Sequence, residues 1–451
     1  MGRKKLLVLI ISFNVALIAV LGGMIYQKHL EIEGLERARA QIYEQAFSQL
    51  AAHVAAIDTA LQKCRYATSP ELIVGLGTEI YGRAVRAGLH LEKLPPVGEA
   101  LEQTALFLAR TGDYARALAR SAEGEGGHSE QAFSDLEALS GAAARLSETL
   151  SHIAERQAMG EGDIVTLLQE FQEEEERVEV FLPQNGGEKP KREWRFRGPP
   201  LTYDGAYSDH LLERRPERLD GMEEVTREEA KKSVSKVFDL KKEIFSYVGS
   251  RDGEIPVYRF LARVDGGDFL VEVSKIGGQV IRAQNDRQVR RAPLTREEGL
   301  RVARDFMERN GYAKMELQHW WLEENRVTGR FMHLQDGVVC YPDWMEVTVA
   351  LDNGRVMTFD ALGHVMHHRD RELEAPLLSM DEAREAIPPQ LTVRKEGKAI
   401  IFTSGKHEVL VYTFRCQNEA GENYMVYVNA RTGRQQDIRI LVEDERGLFL
   451  Y

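Results

Sequence analysis

The chain has 451 residues, with 43% hydrophobic residues, 29% charged residues and 14 prolines. That is length enough for roughly three folding units, and the composition excludes a wholly disordered, collagen-like or polytopic membrane protein. With 59 Lys and Arg against 71 Asp and Glu, the formal charge is -12, so the chain lacks the basic footprint needed to hold a nucleic acid.

At the N-terminus Arg3, Lys4 and Lys5 precede an uncharged stretch from Leu6 to Gln27. As a helix it would extend about 33 Å, enough for a bilayer core. The basic residues favour keeping that end in the cytoplasm, which places everything after Lys28 across the membrane. A cleaved signal peptide with Val20 and Gly22 before the cut is the competing reading. The apolar run is long for one, and Lys28 to Leu61 continues the same helix.

Ala40, Tyr43, Phe47, Leu50, Val54, Ile57 and Leu61 recur at spacings of three and four, one face of a helix. Such a seam dimerises the chain as a coiled coil or packs on later helices of the same chain; its shortness favours the second. Glu71 to Leu91, Val97 to Arg120 and Glu130 to Gln157 are rich in Ala, Leu, Glu and Arg and separated by turn residues, the pattern of an antiparallel bundle. The run Glu173 to Glu176 reads as a solvated helical face, since consecutive side chains point around a helix. From Pro183 to Pro200 the pattern becomes that of a linker. Its Lys189, Lys191, Arg192, Arg195 and Arg197, interleaved with Trp194 and Phe196, suit contact with an anionic wall polymer, peptidoglycan among them, or a lipid head group, but an exposed connector is the better reading.

The C-terminal half repeats itself. Thr226 with Glu229, Thr295 with Glu298, and Ser379 with Glu382 each form a capping box that marks a helix start. Alternating sequence follows each: Tyr258, Phe260, Ala262 and Val264, a turn at Asp265-Gly266-Gly267, then Phe269, Val271 and Val273; Met345, Val347, Val349 and Leu351 before Asp352-Asn353-Gly354; and Tyr424, Val426 and Val428 before Thr432-Gly433. Each unit reads as a helix followed by a small antiparallel sheet.

Capping motifs followed by such strands resemble the PepSY domain, a small secreted α+β module. The whole chain resembles the YpeB family of endospore-forming bacteria, including Leu201-Thr202-Tyr203-Asp204-Gly205-Ala206-Tyr207-Ser208-Asp209-His210, in which Tyr203 to His210 is the most specific piece. Ala206 and Tyr207 depart from the family's usual Pro and Phe. The resemblance implies an α+β chain: an anchor over 1–27, a helical bundle over 28–182, a linker over 183–225, and three PepSY-like repeats over 226–290, 291–372 and 373–451. It further implies location at the spore inner membrane with the bulk facing the cortex, and a partnership with the cortex-lytic enzyme SleB in which each is needed for the other's stable incorporation. PepSY modules also restrain secreted hydrolases, so an inhibitor released by proteolysis is the alternative.

Signatures of chemistry are missing. His364, His367 and His368 have spacings that could share a helix face and ligate zinc, but HExxH is not present and the cluster follows a strand and a Gly turn, so neither metal nor cofactor is expected. Ser208-Asp209-His210 cannot form a triad from adjacent positions. No GxSxG, GxxxxGK[ST] or strand-borne GxGxxG occurs, so no catalytic residue is assigned. Tyr203, Asp204, Tyr207, Asp209 and His210, with Trp320 and Trp321 as hydrophobic anchors, are the expected partner-binding residues; consecutive strand positions would send the two Trp to opposite faces. Three cysteines, Cys64, Cys340 and Cys416, are too few for a disulfide framework and read as small apolar residues, with a Cys340–Cys416 pairing left open.

Overall fold

The computed structural model describes residues 3–95, 98–121, 128–175, 216–403 and 407–451. They form two units, one holding residues up to Arg65 together with the helices from Ile73 on, the other holding Tyr66–Leu72 together with the C-terminal half.

In the first unit, α1 (Arg3–Arg65) is followed by α2 (Pro70–Leu91), α3 (Gly98–Ser121), α4 (Glu130–Ala158) and α5 (Ile164–Glu175). The Phe47, Leu50, Val54, Ile57 and Leu61 face of α1 is buried, and α1 packs against α4 and α5 of its own chain. Small residues let α2 approach α3: a Cβ on Gly77 would lie 2.8 Å from the Ala115 carbonyl, and one on Gly112 would lie 3.2 Å from the Ala84 Cβ. The anchor expected over Leu6–Gln27 falls mostly on residues whose side chains are outside the described set. Among the described residues no helix is long and apolar enough to cross a membrane.

The second unit grows from the three capping boxes, all of which form. They start α6 (Arg227–Phe238), α7 (Arg296–Arg309) and, after the short α8 (Leu362–His367), α9 (Met380–Arg384). The residue before each cap repeats one contact. Val225, Leu294 and Leu378 donate their N–H groups to the carbonyls of Lys275, Leu351 and Ala430, at 2.8, 3.0 and 3.2 Å. Their side chains lie against Gly278, Gly354 and Gly433, whose φ values of +61°, +71° and +71° favour glycine. At this local scale the threefold pattern is present.

The sheets do not follow it. Three separate small sheets were expected; the strands instead join in one thirteen-stranded sheet. In chain order these are β1 (Ser246–Arg251), β2 (Val257–Val264), β3 (Gly267–Ser274), β4 (Val280–Asn285), β5 (Met315–Glu323), β6 (Arg326–Gln335), β7 (Val338–Ala350), β8 (Val356–Asp360), β9 (Thr392–Phe402), β10 (Glu408–Gln417), β11 (Asn423–Asn429), β12 (Gln435–Asp444) and β13 (Gly447–Leu450). The sheet runs β1-β2-β3-β4-β8-β7-β6-β5-β13-β12-β11-β10-β9, and parallel pairing of β7 with β9 closes eight of its strands into a ring. Edges explain the difference, because a small sheet standing alone leaves unpaired N–H and C=O groups along both sides. Pairing Ala283 with Phe359 joins the first repeat to the second, and Trp320 with Leu448 joins the second repeat to the third. The core is shared as well: Phe238 of α6 and Phe306 of α7 stack at 5.8 Å, and both meet Phe359 of β8.

Candidate functional site

The most concentrated chemistry lies where β7 breaks its ladder. Met332 on β6 faces Trp344, and the next residue, His333, faces Cys340, so Tyr341, Pro342 and Asp343 have no partner on β6. Proline supplies no N–H and suits such a bulge. Before the bulge β7 pairs with β9, and after it with β8. Asp343 is therefore held inside the fold, fully buried, at the point where the strand changes partners.

Its carboxylate takes a two-pronged ion pair from Arg371, with Nη1 donating to Oδ2 at 2.9 Å and Nη2 to Oδ1 at 2.6 Å. His368 Nδ1 lies 2.9 Å from Oδ2. Arg371 also donates through Nε and Nη2 to Glu408, at 2.9 and 2.8 Å. Gln335 fixes the Arg371 main chain: its Nε2 donates to the Arg371 carbonyl at 2.7 Å, and its Oε1 accepts the Arg371 N–H at 3.2 Å. Arg369 extends the network to Glu408, at 2.9 Å, and to Glu217. Burial pushes the Asp343 carboxyl up, but the bonds from His368 and Arg371 and the charge of Arg371 outweigh it and hold it below the ordinary value. For Arg371 burial works against the charge, and the two carboxylates more than offset it.

Helix α8 presents His364 and His368 to this network. The His368 N–H donates to the His364 carbonyl at 2.9 Å, which sets the rings one turn apart, and they stack with centroids 4.1 Å apart. A Cβ on Gly363 would fall 2.5 Å from the Trp344 indole nitrogen, so glycine lets α8 sit against β7. His364 is 5% exposed, and its Nδ1 has no hydrogen-bond partner. Burial first, and the neighbouring His368 second, lower its pKa to about 3. His333 stands with its ring centroid 4.5 Å from that of His368. The expectation that the histidines lie outside a helix is corrected: 362–367 is helical, because Asp360 Oδ1 accepts the Leu362 N–H at 2.9 Å and starts the turn. His367 points elsewhere, against the Phe402 ring at 5.1 Å.

Two family matches place the chain. A family described as "YpeB N-terminal" matches residues 33–164, and one described as "YpeB sporulation, PepSY1 and PepSY2 domains" matches 195–374. The chain belongs to the YpeB family. It is similar to proteins named "Sporulation protein YpeB": 29% identical over 245 residues to that of Halalkalibacterium halodurans, a match spanning 53% of this chain and 53% of that relative, and 22% identical to that of Oceanobacillus iheyensis, spanning 94% and 96%. Among solved structures it is similar to the Bacillus megaterium YpeB C-terminal domain, at 22% identity and a TM-score of 0.45, over 49% of this chain and 99% of that one.

Of the partner-binding residues expected from sequence in this YpeB-family chain, the two tryptophans fall within the described residues. Tyr203, Asp204, Tyr207, Asp209 and His210 lie outside the described residues. Trp320 and Trp321 sit on β5 between β6 and β13; Trp321 is buried, while Trp320 is half-buried beneath the Arg296 guanidinium, 4.3 Å from its ring. Cys340 and Cys416 are buried free thiols, not a disulfide, with burial raising them to about 11 and about 12. Sequence reasoning missed Asp343, Arg371 and Glu408. The one available signal was Pro342 inside an alternating strand, followed by a carboxylate on a stretch destined for the interior.

Proposed function

We propose that this chain is a noncatalytic, membrane-anchored scaffold that holds a cortex-lytic hydrolase of the SleB type at the spore inner membrane for use at germination. Family membership gives the sporulation context, and the Leu6–Gln27 stretch supplies the means of anchoring. One observation carries the binding role. Among the described residues β1 alone has a single strand neighbour, β2, and five of its six residues are exposed, Tyr247 and Val248 among them. An edge of this kind takes an added strand from a partner through main-chain hydrogen bonds.

Val248 is the place to test it, because it is skipped in the β1–β2 register, where Tyr247 faces Phe260 and Gly249 faces Arg259. Val248→Pro in the full chain removes an N–H from the edge strand at a position that has no register partner on β2. The hydrolase, followed by immunoblotting of purified spores, should disappear from a deletion strain and fall severalfold in Val248→Pro spores that keep the scaffold itself. Normal hydrolase in the deletion strain would discard the reading. Strong inhibition of hydrolase turnover on cortex fragments by the full chain would replace it with the inhibitor alternative.

A further inference from the structure

We infer that Asp343, His364 and His368 form a binding site for a divalent metal ion of the zinc class. One ligand atom from each residue lies within 4.8 Å of those of the other two. Two imidazoles and one carboxylate are a donor set suited to zinc and neighbouring first-row ions. With metal–ligand bonds of about 2.0–2.2 Å, closing the three around an ion takes shifts of about 1 Å or less at each side chain.

Three features make this more than a chance cluster. His364 Nδ1 is buried without a hydrogen-bond partner, and a buried ring nitrogen left unpaired is a standing cost that metal coordination would remove. Asp343 is oriented in advance by the Arg371 fork, and Arg371 by Glu408 and Gln335, the outer support that metal-binding carboxylates need. His368 already shares a hydrogen with Asp343 Oδ2 at 2.9 Å. An ion in that position replaces the hydrogen on Nδ1: that proton moves to Nε2, or to solvent where Nε2 already holds one, and Arg371 keeps its bonds. The ion would tie α8 to the β7 bulge, so its expected effect is on stability and on the position of the 368–377 connector. Arg371, bonded to Asp343, and Arg218, whose charge reaches His364, oppose a cation and lower its affinity.

The test uses the full chain, stripped with a chelator and titrated with Zn2+ and with Co2+, whose visible absorption reports its coordination. One equivalent should bind per chain and raise the thermal midpoint. His364→Ala and His368→Ala should each weaken binding by more than about tenfold, while His367→Ala, adjacent in sequence but turned toward Phe402, should bind as the unaltered chain does. An absent equivalent, or one that both variants retain, overturns the site. Should either alanine variant lose its circular dichroism signature, X-ray absorption of the zinc-loaded unaltered chain decides: two imidazole nitrogens with carboxylate oxygen uphold the assignment, and any other set refutes it.

Discussion

The side-chain carbonyl of Gln435 accepts the backbone N–H of Thr68 at 2.8 Å, across 367 residues of sequence. Its Nε2 donates to the carbonyls of Tyr66 and Ala386, at 3.1 and 3.2 Å, and its own carbonyl accepts the Ser69 hydroxyl at 2.8 Å. Tyr66 meets Tyr424 edge-on, with ring centroids 4.7 Å apart. A buried glutamine thus holds Tyr66–Leu72 inside the unit built by the C-terminal half.

Removing that side chain leaves buried backbone groups unpaired, so Gln435→Ala should destabilise this unit by about 1–3 kcal/mol. Gln435→Glu keeps the acceptor but sets an oxygen against the Tyr66 and Ala386 carbonyls, and should be at least as damaging at neutral pH. Denaturant unfolding with hydrogen exchange at Thr68 checks both. Unchanged protection at Thr68 in the alanine variant would mean that the contacts it keeps, the Ser69 and Thr68 hydroxyl bonds and the tyrosine pair, hold the segment.

The Asp343–Arg371 pair gives a second prediction. Removing one member of a buried pair strands the other's charge, so Asp343→Ala and Arg371→Ala should each lose about 3–5 kcal/mol. The double variant should lose less than the sum, with a coupling of about 1–3 kcal/mol. Part of the loss will persist, because Glu408 also accepts from Arg371. Additive losses would show that the two side chains stabilise the fold through separate contacts.

What was legible in the sequence follows from distance along the chain. Each capping box is settled by residues three apart, and Thr226, Thr295 and Ser379 all accept the expected N–H, at 3.3, 3.2 and 3.3 Å. The alternation of Met345, Val347 and Val349 likewise marked an inward face, and all three are fully buried. Choice of strand partner is not local. Nothing in β5 or β13 alone announces that Trp320 will lie beside Leu448, so one continuous sheet could not be read from three repeats. The candidate site was hidden for a related reason: Arg369 and Arg371 alternate with acidic residues, as on a solvated connector, and only folding brings them to Asp343 and Glu408.

A last prediction concerns acid. Arg287, after β4, donates both terminal nitrogens to Asp352 in the β7–β8 turn, at 2.7 Å each, and one of them also to Asn353 at 3.0 Å. Asn353 in turn donates to Asp265 in the β2–β3 turn at 3.1 Å, so the pair ties three chain segments together. The bond from Arg287 holds the Asp352 carboxyl below its ordinary 3.8, against a smaller opposing effect of burial. Below 3.8 the unfolded chain therefore takes up this proton before the folded one does, and stability rises with pH across that window. The contribution is complete above about pH 5 and is lost as pH falls through the lowered folded value. Asp352→Asn should cost roughly 1–3 kcal/mol at pH 7, as expected for hydrogen bonds to a charged group. Urea unfolding at half-unit steps from pH 7 to pH 2 should show the gap between the two proteins constant down to about pH 5 and narrowing below pH 4. A gap that stays constant to pH 2 would assign the loss to the shape of the turn, with the charge on Asp352 contributing nothing.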